Sequence, residues 1–382
     1  MSQSAPNAGM PFPYAHWMLR EIHEQPSALT TTLSHYVDGD HFREDACAPI
    51  RAWLRDAGDE IVIAASGSSR HAGMVAEVLL EDLASLHVDV EYASEYGYRS
   101  ENALKSASVM VISQSGETAD TLAALRKATA AGHITLAITN VAGSTMAREA
   151  TVSFPTETGR ERAIPATKSF TAQLLNLYLL ALLAAEVRAT LPHEEIARRL
   201  TDLATLPQTI AAQLPGWKKS IHSIAEKYSS ASSFLFLGRD IHYPIAREGA
   251  LKLKESAYLH AEGYPSGELK HGPNALVSEG TPLVMLATFD PASPESVLRY
   301  EKALQLLRDM RQQGAQVLAL ANTGDTEVAA LATDTIFVAP APEPLLAIAE
   351  TVPLQLLAYF TAIHHGIDVD HPRNLTKAVL AE

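Results

Sequence analysis

Cysteine is nearly absent from this chain of 382 residues: Cys47 is the only one. An internal disulfide, a CxxC redox pair and a thiolate zinc cluster are therefore excluded, and Cys47 reads as a small buried apolar residue. Basic residues are also scarce, 30 Lys and Arg against 44 Asp and Glu, for a net charge of −14. A surface of that sign repels nucleic acid and anionic lipid, so neither is an expected partner. The start, MSQSAPNAGMPFPYAHW, has no basic stretch followed by an apolar one and does not read as a signal peptide. No apolar run is long enough for a bilayer; the best, Leu174 to Ala185, is broken by Asn176 and reads as core or dimer packing. GxxxxGK(S/T) and GxGxxG are missing, which removes the triphosphate loop and the dinucleotide fingerprint. His260, His364, His365 and His371 fall into no metal-ligand spacing, and no cofactor is implied. With 47% hydrophobic residues, what remains is a cytoplasmic globular protein large enough for two domains.

Residues 1–13 are rich in Ser, Pro, Gly and Asn and read as a loose tail. Helical spacing of Met18, Leu19, Ile22, Leu29 and Leu33 follows, with Pro26 as an interruption. Strand and helix patterns then alternate. Ile61–Ala64 leads into Ser66-Gly67-Ser68-Ser69 and a helix from His71; Val109–Ile112 leads into Ser113-Gln114-Ser115-Gly116 and a helix from about Glu117; Ile134–Ile138 and Thr151–Phe154 complete the set. Continuous apolar strands between amphipathic helices predict an α/β fold with parallel sheets covered on both faces. Four strand patterns recur in the same order at Ser233–Gly238, Pro282–Ala287, Gln316–Ala321 and Asp334–Ala339, which points to a duplicated, doubly wound domain. The expected division is 14–200 and 201–366, with a boundary near the prolines of 190–215, then an extended tail over 367–382.

Two strand ends in the first half carry clustered hydroxyls at a helix mouth: Ser66 to Ser69, and Ser113 to Thr118. In an open parallel sheet, ligands bind beyond the carboxyl ends of strands, where free N–H groups favour an anion. A small monophosphate suits such loops. The bland account is that Ser113 and Thr118 merely cap a helix.

The strings SQSGETADT, EGALKLKES, HAEGYPSGELKHGP, TVPLQLLAY and DVDHPRNLTK resemble the isomerase half of glucosamine-6-phosphate synthase. That half consists of two sugar-isomerase (SIS) domains and a C-terminal tail, and the likeness runs from about Met18 to the end. The synthase's glutaminase half begins with a nucleophilic cysteine after the initiator methionine; here Ser2 follows Met1, so glutamine hydrolysis is not expected.

Moving a carbonyl between C1 and C2 of an open sugar phosphate needs a carboxylate base near both carbons. Glu248, Lys252 and Glu255 follow i, i+4, i+7 and share one helix face. The resemblance makes Glu255 the enediol proton shuttle and sets Lys252 beside the sugar hydroxyls, where its ammonium helps keep the carboxylate ionised; without it, an exposed ion pair fits equally. His271 sits in a glycine-flanked turn, ordinarily a bland place for a lone histidine. In the family it crosses from the neighbouring subunit to hand a proton to the ring oxygen, so a homodimer is implied. Lys377 matches the lysine that forms a Schiff base with the open ketose. Phosphate and sugar contacts carry over to Ser68, Ser69, Ser113, Gln114, Ser115 and Thr118. Ala166, in Ile164-Pro165-Ala166-Thr167-Lys168, stands where the synthase has a sugar-contacting serine, and Ser66 replaces a cysteine.

The resemblance thus implies an enzyme interconverting fructose 6-phosphate and glucosamine 6-phosphate. Synthesis with ammonia from an unknown donor, deamination and simple isomerisation all stay open. A non-catalytic sugar-phosphate sensor is the rival from another class; such regulators usually add a basic helix-turn-helix, and none is visible here.

Overall fold

A computed structural model of the chain describes residues 11–100, 107–278 and 280–379, so residues 1–10 of the expected loose tail lie outside the described ones. Two five-stranded sheets, parallel throughout, form the frame. The first holds β1 (Glu60–Ala65), β2 (His87–Tyr92), β3 (Ser108–Ser113), β4 (Thr135–Thr139) and β5 (Val152–Pro155); the second holds β6 (Ser233–Gly238), β7 (His260–Pro265), β8 (Leu283–Leu286), β9 (Val317–Asn322) and β10 (Asp334–Val338). Their spatial orders are β2-β1-β3-β4-β5 and β7-β6-β8-β9-β10. The two sheets are thus wound identically, and the duplication predicted from strand order holds. Within these sheets periodicity misses β2 and β7, one edge strand of each: His87, Asp89 and Glu91 alternate along one, and Gly263 and Pro265 interrupt the other. An edge strand is half solvated, so its composition need not be apolar.

The helices that matter below are α1 (Trp17–Tyr36), α2 (Glu44–Asp56), α3 (Gly67–Ala84), α4 (Ala119–Ala130), α5 (Lys168–Arg188), α6 (His193–Lys227), α7 (His242–Ala257), α8 (Pro294–Gln312) and α9 (Glu343–His364). Helices α5 and α9 are apolar on all sides and lie between the two sheets. Both are long and apolar enough to cross a membrane, yet 89% and 94% of their apolar windows are buried inside the protein, so they are core helices. One apolar cluster joins Ile63 and Ile112 of the first sheet to Phe236 and Val284 of the second; separate clusters fill the outer faces around Leu125 and Leu307. A Leu→Ala change in such a core costs about 2–5 kcal/mol.

Two proline readings need correction. Pro26 does not interrupt the first helix: α1 runs through it to Tyr36. Proline leaves the Ile22 carbonyl without its helical N–H partner, and the buried Gln25 side chain supplies one, its Nε2 donating to Ile22 O at 3.0 Å. Likewise Pro207 and Pro215 mark no break; α6 passes through both. Its stripe of Ile196, Leu200, Leu203, Leu206, Ile210 and Leu214 is buried, and that burial outweighs a cost of about 3 kcal/mol per interior proline. The expected boundary near 190–215 is therefore largely helix rather than loop.

The tail after α9 is irregular but anchored. Asp370 accepts the backbone N–H groups of Trp17 (2.7 Å) and Met18 (2.9 Å), and so caps the start of α1 from the far end of the chain.

Candidate active site

Strand β3 ends at Ser113, and the chain turns through Gln114, Ser115 and Gly116 to Thr118, which precedes α4. Ser113 Oγ and Thr118 Oγ1 lie 3.0 Å apart, Gly116 N–H donates to Ser113 Oγ at 3.2 Å, and Glu117 N–H donates to Ser115 Oγ at 3.2 Å. Gly116 adopts φ +66°, and a Cβ there would stand 2.1 Å from Ser144 Oγ, so the turn tolerates no side chain. Neither Thr118 before α4 nor Ser66 before α3 makes a side-chain capping bond. The capping account of these hydroxyls is therefore not realised. Helix α4 begins at Ala119, not Glu117; Glu117 turns away, its Oε1 accepting the Thr145 N–H at 2.7 Å.

At the other strand end the helix begins at Gly67 rather than His71, so both serines lie in its first turn: Ser68 Oγ donates to Glu248 Oε1 at 2.8 Å, and Ser69 Oγ accepts from Gln173 Nε2 at 3.1 Å. Ser68 thereby ties the first half to α7 in the second. Glu248 also bonds His71 Nδ1 (2.8 Å) and lies 3.4 Å from Lys252 Nζ, and Lys252 donates in turn to Glu255. Glu248 and Lys252 are each 1% exposed. Two charges are costly to bury, and this pair is retained beneath a third, partly open carboxylate. Burial alone would raise the Glu248 carboxyl, but the Lys252 charge and the bonds from His71 and Ser68 outweigh it and hold it below its ordinary value. Burial likewise opposes the Lys252 ammonium, and the Glu248 and Glu255 carboxylates more than compensate, so its pKa lies above that of a free lysine. Glu255 itself opens onto a cavity of about 490 Å³, shared with Tyr258 at the end of α7 and with Arg373, Asn374 and Leu375 of the tail.

The tail links this cavity to the hydroxyl turn. Val379 O accepts the Ala119 N–H at 2.9 Å, at the front of α4. From Leu375 to Val379 an extended backbone spans at most about 14 Å, which bounds the separation of the two places. Between them, Lys377 Nζ donates to Glu161 Oε2 (2.5 Å) and Ala163 O (2.6 Å). It is a partnered lysine, not a freely solvated one. Glu161 also accepts from Thr167 N–H, Ser169 N–H and Ser169 Oγ, which fixes the loop that carries Ala166. Glu21 in α1 lies behind it, accepting the Arg162 and Ala163 N–H groups. Burial works against both carboxylates. The Lys377 charge and several donors pull Glu161 well below the usual range, while burial and the Glu161 charge push Glu21 above it.

Of the residues singled out from sequence, Ser68, Lys252 and Glu255 belong to one chain of polar contacts, and Ser113, Ser115 and Thr118 to one turn. Gln114 sits in that turn, half-buried, and Ala166 packs against the core. His271 lies apart, exposed on a short 3-10 turn over Glu268–His271, its side chain making no hydrogen bond or ion pair with the described residues. Sequence reasoning missed His71, Glu161, Gln173 and Glu21. Glu21 had a visible signal, a charge on the stripe Met18, Ile22, Leu29; Glu161 had none, because Arg160 and Arg162 make it look solvated. Cys47 is buried, and burial pushes its thiol up to about 12, which rules out a ready thiolate.

Residues 54–183 and 227–365 each match the SIS domain. The chain belongs to the SIS-domain family. Among curated relatives it is 43% identical over 379 residues to the isomerizing glutamine–fructose-6-phosphate aminotransferase of Methanosarcina acetivorans, covering 97% of this chain and 59% of that one. The Thermus thermophilus enzyme of the same name is 42% identical over 383 residues, covering 100% and 60%. The chain thus spans about three-fifths of the length of these relatives. Among solved structures, the C-terminal domain of glucosamine-fructose-6-phosphate aminotransferase from Francisella tularensis superposes with a TM-score of 0.87 at 35% identity, covering 97% of this chain and all of that one. Glucosamine-6-phosphate deaminase from Thermotoga maritima shares the fold, with a TM-score of 0.68 at 23% identity over 95% of this chain and 99% of that one.

Proposed function

We propose that this chain interconverts fructose 6-phosphate and glucosamine 6-phosphate. In this reading the Ser113–Thr118 turn and Ser69 hold the phosphate, and Glu255 carries the proton between C1 and C2. Its carboxylate is held by the Lys252 ammonium, and the buried Glu248 holds that lysine in place. Lys377 attacks the C2 carbonyl of the open ketose as the free amine, an N–H proton passing to the carbonyl oxygen to give the carbinolamine, and His271 of a second subunit serves the ring oxygen. The observation that carries the reading is the Ser68–Glu248–Lys252–Glu255 chain, which joins the serine-rich start of α3 in one half to a carboxylate of the other.

The test is to incubate the purified protein with glucosamine 6-phosphate and assay ammonia and fructose 6-phosphate. Release of ammonia with formation of fructose 6-phosphate supports the reading. Binding of hexose phosphates without any turnover would make the protein a sensor instead. Lys377→Ala is expected to lose amination and deamination far more than glucose–fructose 6-phosphate exchange; equal loss of both would contradict the Schiff-base role.

A further inference from the structure

A second cavity, of about 460 Å³, opens where the edge strands of the two sheets approach one another, and two arginines face into it. Arg70 in α3 lies over the ring of Tyr92, 3.9 Å from its centroid, and its terminal amines reach Val90 O and Met74 Sδ, both at 3.3 Å. Arg247 in α7 donates to Tyr92 Oη at 3.2 Å and to Tyr243 Oη at 3.3 Å. Among the described residues neither guanidinium has a carboxylate partner, and neither has Lys254 at the same cavity. In a chain carrying a net −14, this cavity gathers three cations, none of them in an ion pair among the described residues. The one carboxylate lining the cavity, Glu262, accepts a hydrogen bond from Tyr264. Arg70 Nε is buried with no acceptor at all, a donor left short. Gly263 keeps the strand tight against α7, since a Cβ there would stand 2.6 Å from Arg247 Cα.

We propose that Arg70, Arg247 and Lys254 form a second anion site, distinct from the hydroxyl turn, that takes a phosphate-bearing small molecule. Both guanidinium planes are braced before any ligand arrives, Arg70 by stacking and Arg247 by two tyrosine hydroxyls, so little side-chain freedom is lost on binding. Their forked donors match phosphate oxygens, and Lys254 adds a point charge at the rim. His71 lines the same cavity and bonds Glu248, so an anion held there lies beside the buried chain that ends at Glu255. The site's existence does not depend on the catalytic reading.

Pyrophosphate titrated into the full chain by calorimetry at low salt tests this. Two sites per chain are expected. Arg70→Ala and Arg247→Ala should each weaken one of them tenfold or more, by about the worth of a charge-assisted bond, and leave the other intact. Ser113→Ala with Thr118→Val should do the reverse. Tyr92→Phe, which keeps the ring and removes only the hydroxyl bracing Arg247, should weaken the arginine site a few-fold and guards against loss of folding in the alanine variants. A single site that vanishes with Ser113 and Thr118 would overturn the proposal while leaving the proposed function standing. Two sites indifferent to both arginines would also overturn it. So would an Arg247→Ala variant that changes only the oligomeric state, since the pair would then be meeting a second copy of the chain.

Discussion

The two halves of this molecule have the same sheet order and opposite chemistry at corresponding loops. After its third strand the first half presents Ser113, Ser115 and Thr118 around a glycine; the second half presents Thr288, Phe289 and Asp290. Thr288 Oγ1 donates to Glu350, and Glu350 bonds His242 Nδ1 at 2.7 Å. His242 Nε2 lies 3.2 Å from Glu343, which is also held by Ser296 and Arg299. One half thus leaves hydroxyls at the mouth of its sheet, while the other lines its mouth, which opens on a cavity of about 670 Å³, with paired charges. The lesson is that the sheet fixes where a ligand could sit, and a handful of loop side chains decide whether anything does.

That contrast can be broken in several ways. Glu255→Gln should lower turnover by roughly 10²–10⁴-fold, the usual worth of a positioned base, with phosphate binding unchanged; steady-state kinetics beside calorimetry would show it. His242→Ala should cost about 3–5 kcal/mol of stability in urea unfolding, because Glu350 and Glu343 lose a buried cation, yet leave KM where it was. Ser113→Ala with Thr118→Val should do the opposite, raising KM about tenfold or more while altering stability little. The smallest effect is a slope with pH. Burial alone would depress the His242 imidazole, but Glu350 and Glu343 raise it to about 10. Its contribution is therefore complete below the unfolded value near 6.5 and fades as pH rises through about 10. Unfolding free energies at pH 6.5 and pH 9 should differ in the parent and lose that part of the difference in His242→Ala.

Much of this was legible in the residues. The central strands are β-branched and apolar runs ending in turn residues, so Ile61, Val109 and Phe234 declare themselves, and repetition in the same order declares the duplication. The polar face of α7 was visible as the spacing of Glu248, Lys252 and Glu255. What stayed hidden was tertiary. Pro26 reads as a break unless the side chain of Gln25 is known to replace the lost donor. Pro207 and Pro215 read as a domain boundary unless the buried stripe along α6 is seen against α9. Glu161 looks like a surface charge between two arginines, and only the fold carries it inward to Lys377. Arg70 and Arg247 stand far apart in sequence, and the packing of α3 beside α7 is what brings them to Tyr92.

The central claim is that a carboxylate of the second half moves a proton on a sugar phosphate held by the first. Solvent deuterium exchange into fructose 6-phosphate at C1, followed by proton NMR in heavy water, tests it most directly, because exchange needs no amine donor and no particular direction of net reaction. The account predicts stereospecific loss of one C1 proton signal with the intact protein and none with Glu255→Gln. No exchange with the intact protein, or equal exchange with the variant, would contradict it.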